Sequence, residues 1–157
     1  MLKYVDAKVV FAEVPDEVTL AINISNCSCQ CKNCHSSYLA EDIGTELTFN
    51  EVRKLIRKNS GISCIALMGG DAEPDKVNTL ASFITNHYNS IKVAWYSGRQ
   101  ELSSVIDLFN FDYIKLGPYK EEFGPLNSRT TNQRMYKVHD CELEDITSKF
   151  WKHETEN

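Results

Sequence analysis

Short apolar runs that stop at glycine recur through the middle of this chain, separated by stretches with helical spacing. Cys64-Ile65-Ala66-Leu67-Met68 ends at Gly69-Gly70, Lys92 to Tyr96 ends at Ser97-Gly98, and Tyr113 to Leu116 ends at Gly117-Pro118. Runs of this length with a glycine stop read as buried strands. Before the first of them, Thr48 heads a helix. Its side chain suits the cap, Glu51 stands three residues on in a capping-box pattern, and Phe49, Val52, Leu55 and Ile56 form one apolar stripe that Gly61 ends. Val77, Leu80, Ala81, Ile84 and Tyr88 mark a second helix opening near Pro74, and Leu102, Val105, Ile106 and Phe109 a third. Alternation of this kind favours a parallel sheet with right-handed helical crossovers. The elements are too few to close an eight-stranded barrel. The expected fold is therefore α/β, a partial, open (β/α) barrel with a mostly parallel sheet, in a single domain spanning residues 1–157.

The flanks carry weaker signals. Ala7 to Glu13 and Val18 to Ile24 are β-type runs around the turn signal Pro15-Asp16, which predicts a hairpin. Gly124, Pro125, Asn127 and Ser128 mark an exposed loop, and Cys141 to Trp151 has the spacing of a terminal helix.

In parallel α/β sheets, ligands bind beyond the carboxyl ends of the strands. The run Val18 to Ile24 leads directly into Asn26-Cys27-Ser28-Cys29-Gln30-Cys31-Lys32-Asn33-Cys34-His35. A cysteine loop following that strand would share one sheet edge with Gly69-Gly70-Asp71 and Ser97-Gly98. Four of the six cysteines fall between Cys27 and Cys34. The N-terminus lacks a charged-then-apolar signal pattern and no apolar run approaches the roughly 20 residues of a membrane helix, so a cytoplasmic, membrane-free protein is expected. Where thiols stay reduced, such crowding points to metal or redox chemistry rather than disulfides. The formal net charge is −5. The cations Lys3, Lys8, Arg53, Lys54, Arg57 and Lys58 are scattered or lie on the first helix, which reads as a solvated face, so no nucleic acid partner is expected.

Three thiolates spaced C-x3-C-x2-C can hold three irons of a cubane and leave the fourth without a protein ligand. An open coordination position is what separates a reactive metal centre from a structural one. A structural zinc site drawn from Cys27, Cys29, Cys31, Cys34 or His35 competes with this reading, although a second Cys/His pair at finger spacing is missing downstream. An electron-transfer ferredoxin would want a fourth cysteine placed for ligation. Cys29 is too close to its neighbours to join the set easily. Cys64 reads as a small core residue and Cys141 as a partly buried thiol.

The C-x3-C-x2-C loop after a first strand, with Met68-Gly69-Gly70-Asp71 after the next, resembles the radical S-adenosylmethionine superfamily. Asn26 to Ser36, Tyr96-Ser97-Gly98, Asp112 to Pro118 and Asn132-Gln133-Arg134 resemble more narrowly the activating proteins of anaerobic ribonucleoside-triphosphate reductase. Asn33 stands where the superfamily often has an aromatic residue near the adenine, and Asp71 where it often has Glu. The resemblance implies a [4Fe–4S] cluster on Cys27, Cys31 and Cys34. It implies S-adenosylmethionine held around Asn33, Cys34, His35, Gly69, Gly70, Asp71 and Ser97, with Asp71 accepting from the methionine ammonium. It also implies flavodoxin or ferredoxin as electron donor, and a glycyl radical raised on the large reductase, or on another glycyl-radical or peptide substrate. Read without the resemblance, Gly-Gly-Asp is an ordinary strand-to-helix turn and Ser97 a turn serine, while Lys115 and Arg134 are cationic candidates for carboxylate or phosphate contacts, with solvated charges the default. A non-catalytic zinc-binding adaptor is the reading from a different functional class.

Overall fold

The computed structural model describes residues 1–25 and 42–151. Among the described residues, eight strands form one open sheet: β1 (Lys3–Val10), β2 (Thr19–Ile24), β3 (Thr45–Glu46), β4 (Cys64–Met68), β5 (Lys92–Tyr96), β6 (Tyr113–Leu116), β7 (Arg134–His139) and β8 (Glu142–Asp145). Their spatial order is β3-β1-β2-β4-β5-β6-β7-β8. The central strands β2, β4, β5 and β6 pair in parallel, whereas β3, β1, β7 and β8 pair antiparallel on the flanks.

The partial (β/α) barrel expected from the alternation and from the superfamily resemblance does not form. The molecule is a small mixed sheet with, among the described residues, two α-helices, α1 (Phe49–Lys58) and α2 (Pro74–His87). Two physical causes account for the difference. First, residues 99–107 do not make the third helix. The Ser103 carbonyl and hydroxyl take the amides of Ile106 and Val105, and Asp107 caps a single 3-10 turn by accepting from the Phe109 amide at 3.0 Å. Side-chain capture of this sort competes with a helix too short to nucleate alone. The apparent stripe is not buried as one either, since Phe109 is 77% exposed. Second, the connection from Gly117 to Gln133 contains no helix. A parallel neighbour requires a crossover, usually helical, and the chain instead turns back to lay β7 antiparallel on β6, with Leu116 opposite Arg134.

The C-terminal helix expected over Cys141 to Trp151 is also overturned. Asp140 (φ 48°) and Cys141 (φ 62°) form a two-residue turn joining β7 to β8, with His139 opposite Glu142. Positive φ at both central residues is the geometry that matches strand twist in a tight hairpin. The N-terminal hairpin does form, with β1 starting at Lys3 and ending at Val10, earlier than the expected Ala7 to Glu13.

The two faces of the sheet are unequal because strand side chains alternate. Ile65, Leu67, Val93, Trp95, Ile114 and Leu116 point to one face with Leu20, Ile22 and Ile24, and there they meet Val52 and Leu55 of α1 and Val77, Leu80, Ala81 and Ile84 of α2. The other face carries Cys64, Ala66, Ala94, Tyr113 and Met135. Among the described residues it is covered by Val14 of the β1–β2 connection and by Ile146, Leu126 and Phe150. Thr48 caps α1 as its sequence indicates, accepting the Glu51 amide at 3.1 Å. The Glu51 carboxylate accepts from the Tyr4 hydroxyl at 2.5 Å instead of closing the capping box. Among the described residues, no helix is long and apolar enough to cross a membrane.

The hairpin and helix alternatives for the C-terminus respond oppositely to glycine. Cys141→Gly should stabilise the protein by about 0.5–1 kcal/mol in urea titration, because it relieves a left-handed non-glycine residue. A loss of about 1 kcal/mol, as expected in a helix interior, would contradict the hairpin.

Candidate functional site at the parallel strand ends

Parallel pairing brings the carboxyl ends of β2, β4, β5 and β6 to one edge, at Ile24, Met68, Tyr96 and Leu116. The candidate ligands Cys27, Cys31 and Cys34, together with Asn33 and His35, lie outside the described residues. The chain leads into them from this edge, at Ser25, whose amide is fixed to the Lys3 carbonyl at 2.9 Å.

The next strand end carries the two glycines. Gly69 (φ 107°) and Gly70 (φ 87°) both have backbone conformations that side chains rarely adopt. Space forbids a side chain as well. A Cβ on Gly69 would stand 3.1 Å from the Ile24 carbonyl oxygen, and one on Gly70 only 2.6 Å from a Val77 methyl. The glycines thus let the β4 end turn tightly between the β2 end and α2. The Gly69 amide donates to the Tyr96 carbonyl, and its carbonyl accepts from the Trp95 indole N–H at 2.7 Å.

The turn delivers Asp71 to the β5 end. Asp71 is only 3% exposed. One carboxylate oxygen accepts from the Ser97 hydroxyl and the other from the Gly98 amide at 2.9 Å. The Ser97 hydroxyl oxygen also accepts the Arg99 amide at 3.1 Å, and the Arg99 carbonyl accepts the Gly117 amide at 2.7 Å. The contiguous Gly69-Gly70-Asp71 and the distant Ser97 are therefore brought together. What joins Asp71 to Ser97 is a direct charge-assisted hydrogen bond, which spacing alone did not indicate.

Lys115 completes the rim. The reading as a solvated cation is overturned, for the residue is 8% exposed and lies on the less-covered face of β6. Its ammonium donates to the carbonyls of Ser97 (3.2 Å) and Gly117 (2.9 Å) and sits 5.8 Å from the Tyr96 ring centre. The one legible signal was its position inside an otherwise apolar strand. Arg134 is half-exposed and pairs with Asp145 at 3.7 Å. Asn132 donates to the Pro118 carbonyl, and Gln133 to that of Gly117, so both stand at the β6 end. The Asn132 Oδ1 is buried and has no donor among the described residues.

Trp95 and Tyr96 take opposite faces as alternation requires. Trp95 joins the helix-side core and Tyr96 lies on the other face, its hydroxyl donating to the Glu13 carbonyl. Burial, with Glu13 and Cys64 nearby, holds the Tyr96 hydroxyl far above its ordinary pKa. Cys64 is fully buried, and burial reinforced by the Glu17 carboxylate pushes its thiol up to about 12. It stays a neutral core residue at physiological pH, as the sequence indicates. Cys141 sits in the β7–β8 turn. Among the described residues, no group of three or more His, Cys, Asp or Glu converges as metal ligands.

This edge suits a ligand that carries both donors and acceptors. Along the row of parallel strand ends stand the Gly69-Gly70 turn and Asp71 at the β4 and β5 ends, and at the β6 end the buried Lys115 and an Asn132 Oδ1 that has no donor among the described residues. The donor set of the cysteine segment, three thiolates at C-x3-C-x2-C, suits iron–sulfur ligation.

Removing the Asp71 carboxylate leaves the Gly98 amide and the Ser97 hydroxyl without their acceptor. Asp71→Ala should therefore cost about 2–3 kcal/mol in urea titration, and Asp71→Asn about half of that, since one amide oxygen still accepts. Equal stability of wild type and Asp71→Ala would show that the carboxylate does not brace the β4 and β5 ends.

No protein-family model, no curated protein and no solved structure matches this chain.

Proposed function

We propose that this protein binds a [4Fe–4S] cluster through Cys27, Cys31 and Cys34 and uses it to cleave S-adenosylmethionine reductively, activating a glycyl-radical enzyme such as anaerobic ribonucleoside-triphosphate reductase. The observation that carries the proposal is the three-thiolate spacing on the segment leaving β2, the strand whose parallel neighbour ends in Gly69-Gly70-Asp71. Cys27, Cys31 and Cys34 would hold three irons of such a cluster, which would supply an open coordination position for a small chelating molecule.

When bound, the cluster and S-adenosylmethionine supply one-electron cleavage of a carbon–sulfur bond, giving methionine and a 5′-deoxyadenosyl radical that takes a hydrogen atom from a glycine Cα. The chain's own residues bind and orient. Gly69 and Gly70 let the β4 end turn tightly against Ile24 and Val77 and so carry Asp71 to the rim. Asp71 is held at the strand ends by its bonds to Ser97 and Gly98, which sets a carboxylate on the edge where the resemblance would have the methionine ammonium lie. Lys115 sets positive charge beneath the same rim, favourable to a carboxylate or to thiolate-bound iron. Asn132 Oδ1 offers a further acceptor. Asn33 and His35 flank the third cysteine in sequence and would lie near the bound cofactor.

An open sheet with a row of parallel strand ends on one edge can receive a target presented by another protein. The radical is too reactive to diffuse, so the target glycine must itself reach the rim.

Anaerobic reconstitution should give about four irons and four sulfides per chain. Cys27→Ala, Cys31→Ala and Cys34→Ala should each lose most of the iron, and Cys29→Ala should retain it. Stoichiometric zinc in the protein as isolated, or full iron retention in all three variants, would defeat the cluster. With reductant, S-adenosylmethionine and the cognate reductase, electron paramagnetic resonance should give a doublet that collapses when the partner carries deuterated glycine. Cleavage without a radical on the partner would leave the cluster chemistry standing and defeat the activase role.

A further inference from the structure

Residues 11–17 of the β1–β2 connection lie across the sheet face opposite α1 and α2. Val14 is their one fully buried apolar side chain. Phe11 is 73% exposed, Ala12 is exposed and Pro15 is half-buried. Among the described residues the segment has one backbone–backbone bond, from the Glu17 amide to the Val14 carbonyl at 3.3 Å, and the β1–β2 ladder stops at Val10 opposite Thr19. Asp16 has φ 65°, a conformation that residues with a side chain seldom adopt. Little buried apolar surface, no ladder and a left-handed aspartate put this segment at the low end of local stability.

Two polar clamps hold it down, one at each edge of the sheet. At the amino ends of β4 and β5, the buried Glu17 carboxylate accepts from the Ser63 hydroxyl at 2.5 Å and from the Lys92 ammonium at 2.6 Å. At the carboxyl end of β5, the Tyr96 hydroxyl donates to the Glu13 carbonyl. The flanks are fixed independently of these clamps. Val10 pairs with Thr19, and the Val18 carbonyl accepts the Ser63 amide at 2.8 Å. The two ends are therefore anchored close together, and what lies between is held by Val14 and two sets of side-chain bonds.

The rest of that face has a separate covering. A cleft of about 680 Å³ is lined by Phe11, Glu13 and Asp16 of the segment and by Leu126, Lys149 and Phe150 of the other covering, so the two are not packed as one layer. Beneath them the strands present Cys64, Ala66 and Ala94, small side chains that offer little area to bury against.

We propose that residues 11–17 form a strap that lifts from the sheet as a unit, without global unfolding, and that the Glu17 carboxylate is its latch. Lifting breaks the bonds to Ser63, Lys92 and Tyr96, withdraws Val14 from its cluster and relieves Asp16. It uncovers Cys64, which follows Ser63 in β4 and shares the Val14 cluster. It also frees the hydroxyl of Tyr96, the residue before Ser97 on the rim. The strap thus links the amino edge of the sheet to the candidate site at the carboxyl edge. Neither a cluster nor S-adenosylmethionine is needed for this motion.

Cys64 reports the opening. Under the strap it is fully buried with its thiol pushed up to about 12, so it resists alkylation; uncovered, it becomes an ordinary thiol. The full chain is incubated with excess N-ethylmaleimide over a range of urea concentrations below the global transition, and the adduct at Cys64 is read by peptide mass spectrometry. Labelling should depend only weakly on urea at low denaturant and join the steep global branch near the transition, because the slope scales with the surface exposed. Glu17→Ala should raise the low-urea rate at least about tenfold, as the loss of a charge-assisted hydrogen bond implies, and Glu17→Gln and Tyr96→Phe should raise it less. Thr147→Val removes the bonds of the Thr147 hydroxyl to the Met135 amide and to Asp145, beside the other covering. It should lower the urea midpoint yet leave the low-urea rate within about twofold of wild type. Labelling that follows the global slope at every urea concentration, in wild type and in Glu17→Gln alike, would overturn the strap. A rise in Thr147→Val as large as in Glu17→Ala would do the same.

Discussion

Parallel pairing of β2, β4, β5 and β6 is the constraint on which the rest of the structure depends. It sets four carboxyl strand ends in one row and leaves their backbone groups to be satisfied by whatever follows each strand. The chain meets that demand locally. Trp95 bonds the Gly69 carbonyl, Asp71 reaches the Ser97 hydroxyl and the Gly98 amide, and Lys115 ties the carbonyls of Ser97 and Gly117. These contacts brace the ends of β4, β5 and β6 into a single rim. Unpaired, such buried groups would be costly, and the charged members costlier still. The two glycines are part of the same solution, because only a residue without Cβ passes between Ile24 and Val77 at the β4 end.

One-sided covering follows from the strands themselves. Large aliphatic side chains on one face create the surface that α1 and α2 bury. Cys64, Ala66 and Ala94 on the other face leave room for only a thin layer, supplied by Val14, Leu126, Ile146 and Phe150. That layer comes from connections and from the C-terminal segment, so the sheet remains open, with β3 and β8 as its edges.

Those parts of the fold carried by strong local signals were legible in the sequence. The strand cores at Cys64–Met68, Lys92–Tyr96 and Tyr113–Leu116, the Thr48 cap and both α-helices follow from apolar spacing and stop residues. The parts that failed depend on competition between local and distant groups. Leu102, Val105, Ile106 and Phe109 have helical spacing, but Ser103 and Asp107 capture the nearby amides. Leu143, Ile146 and Phe150 imitate a helix stripe, whereas Asp140-Cys141 makes a tight turn without the Asn-Gly or Asp-Gly signature that would announce it. At the site, the sequence placed Gly69, Gly70, Asp71 and Ser97 on one edge. It did not reveal that Asp71 bonds Ser97 or that Lys115 is buried, because both depend on the register of β4, β5 and β6.

Under the proposed function, Cys27, Cys31 and Cys34 would hold three irons and leave the fourth to the amino and carboxylate groups of S-adenosylmethionine. The most direct measurement is electron–nuclear double resonance on the reduced, reconstituted protein with the methionine amino nitrogen labelled with 15N and the carboxylate with 17O. Coupling of both nuclei to the cluster is the expected result. A cluster spectrum unchanged by S-adenosylmethionine, with neither nucleus coupled, would contradict it.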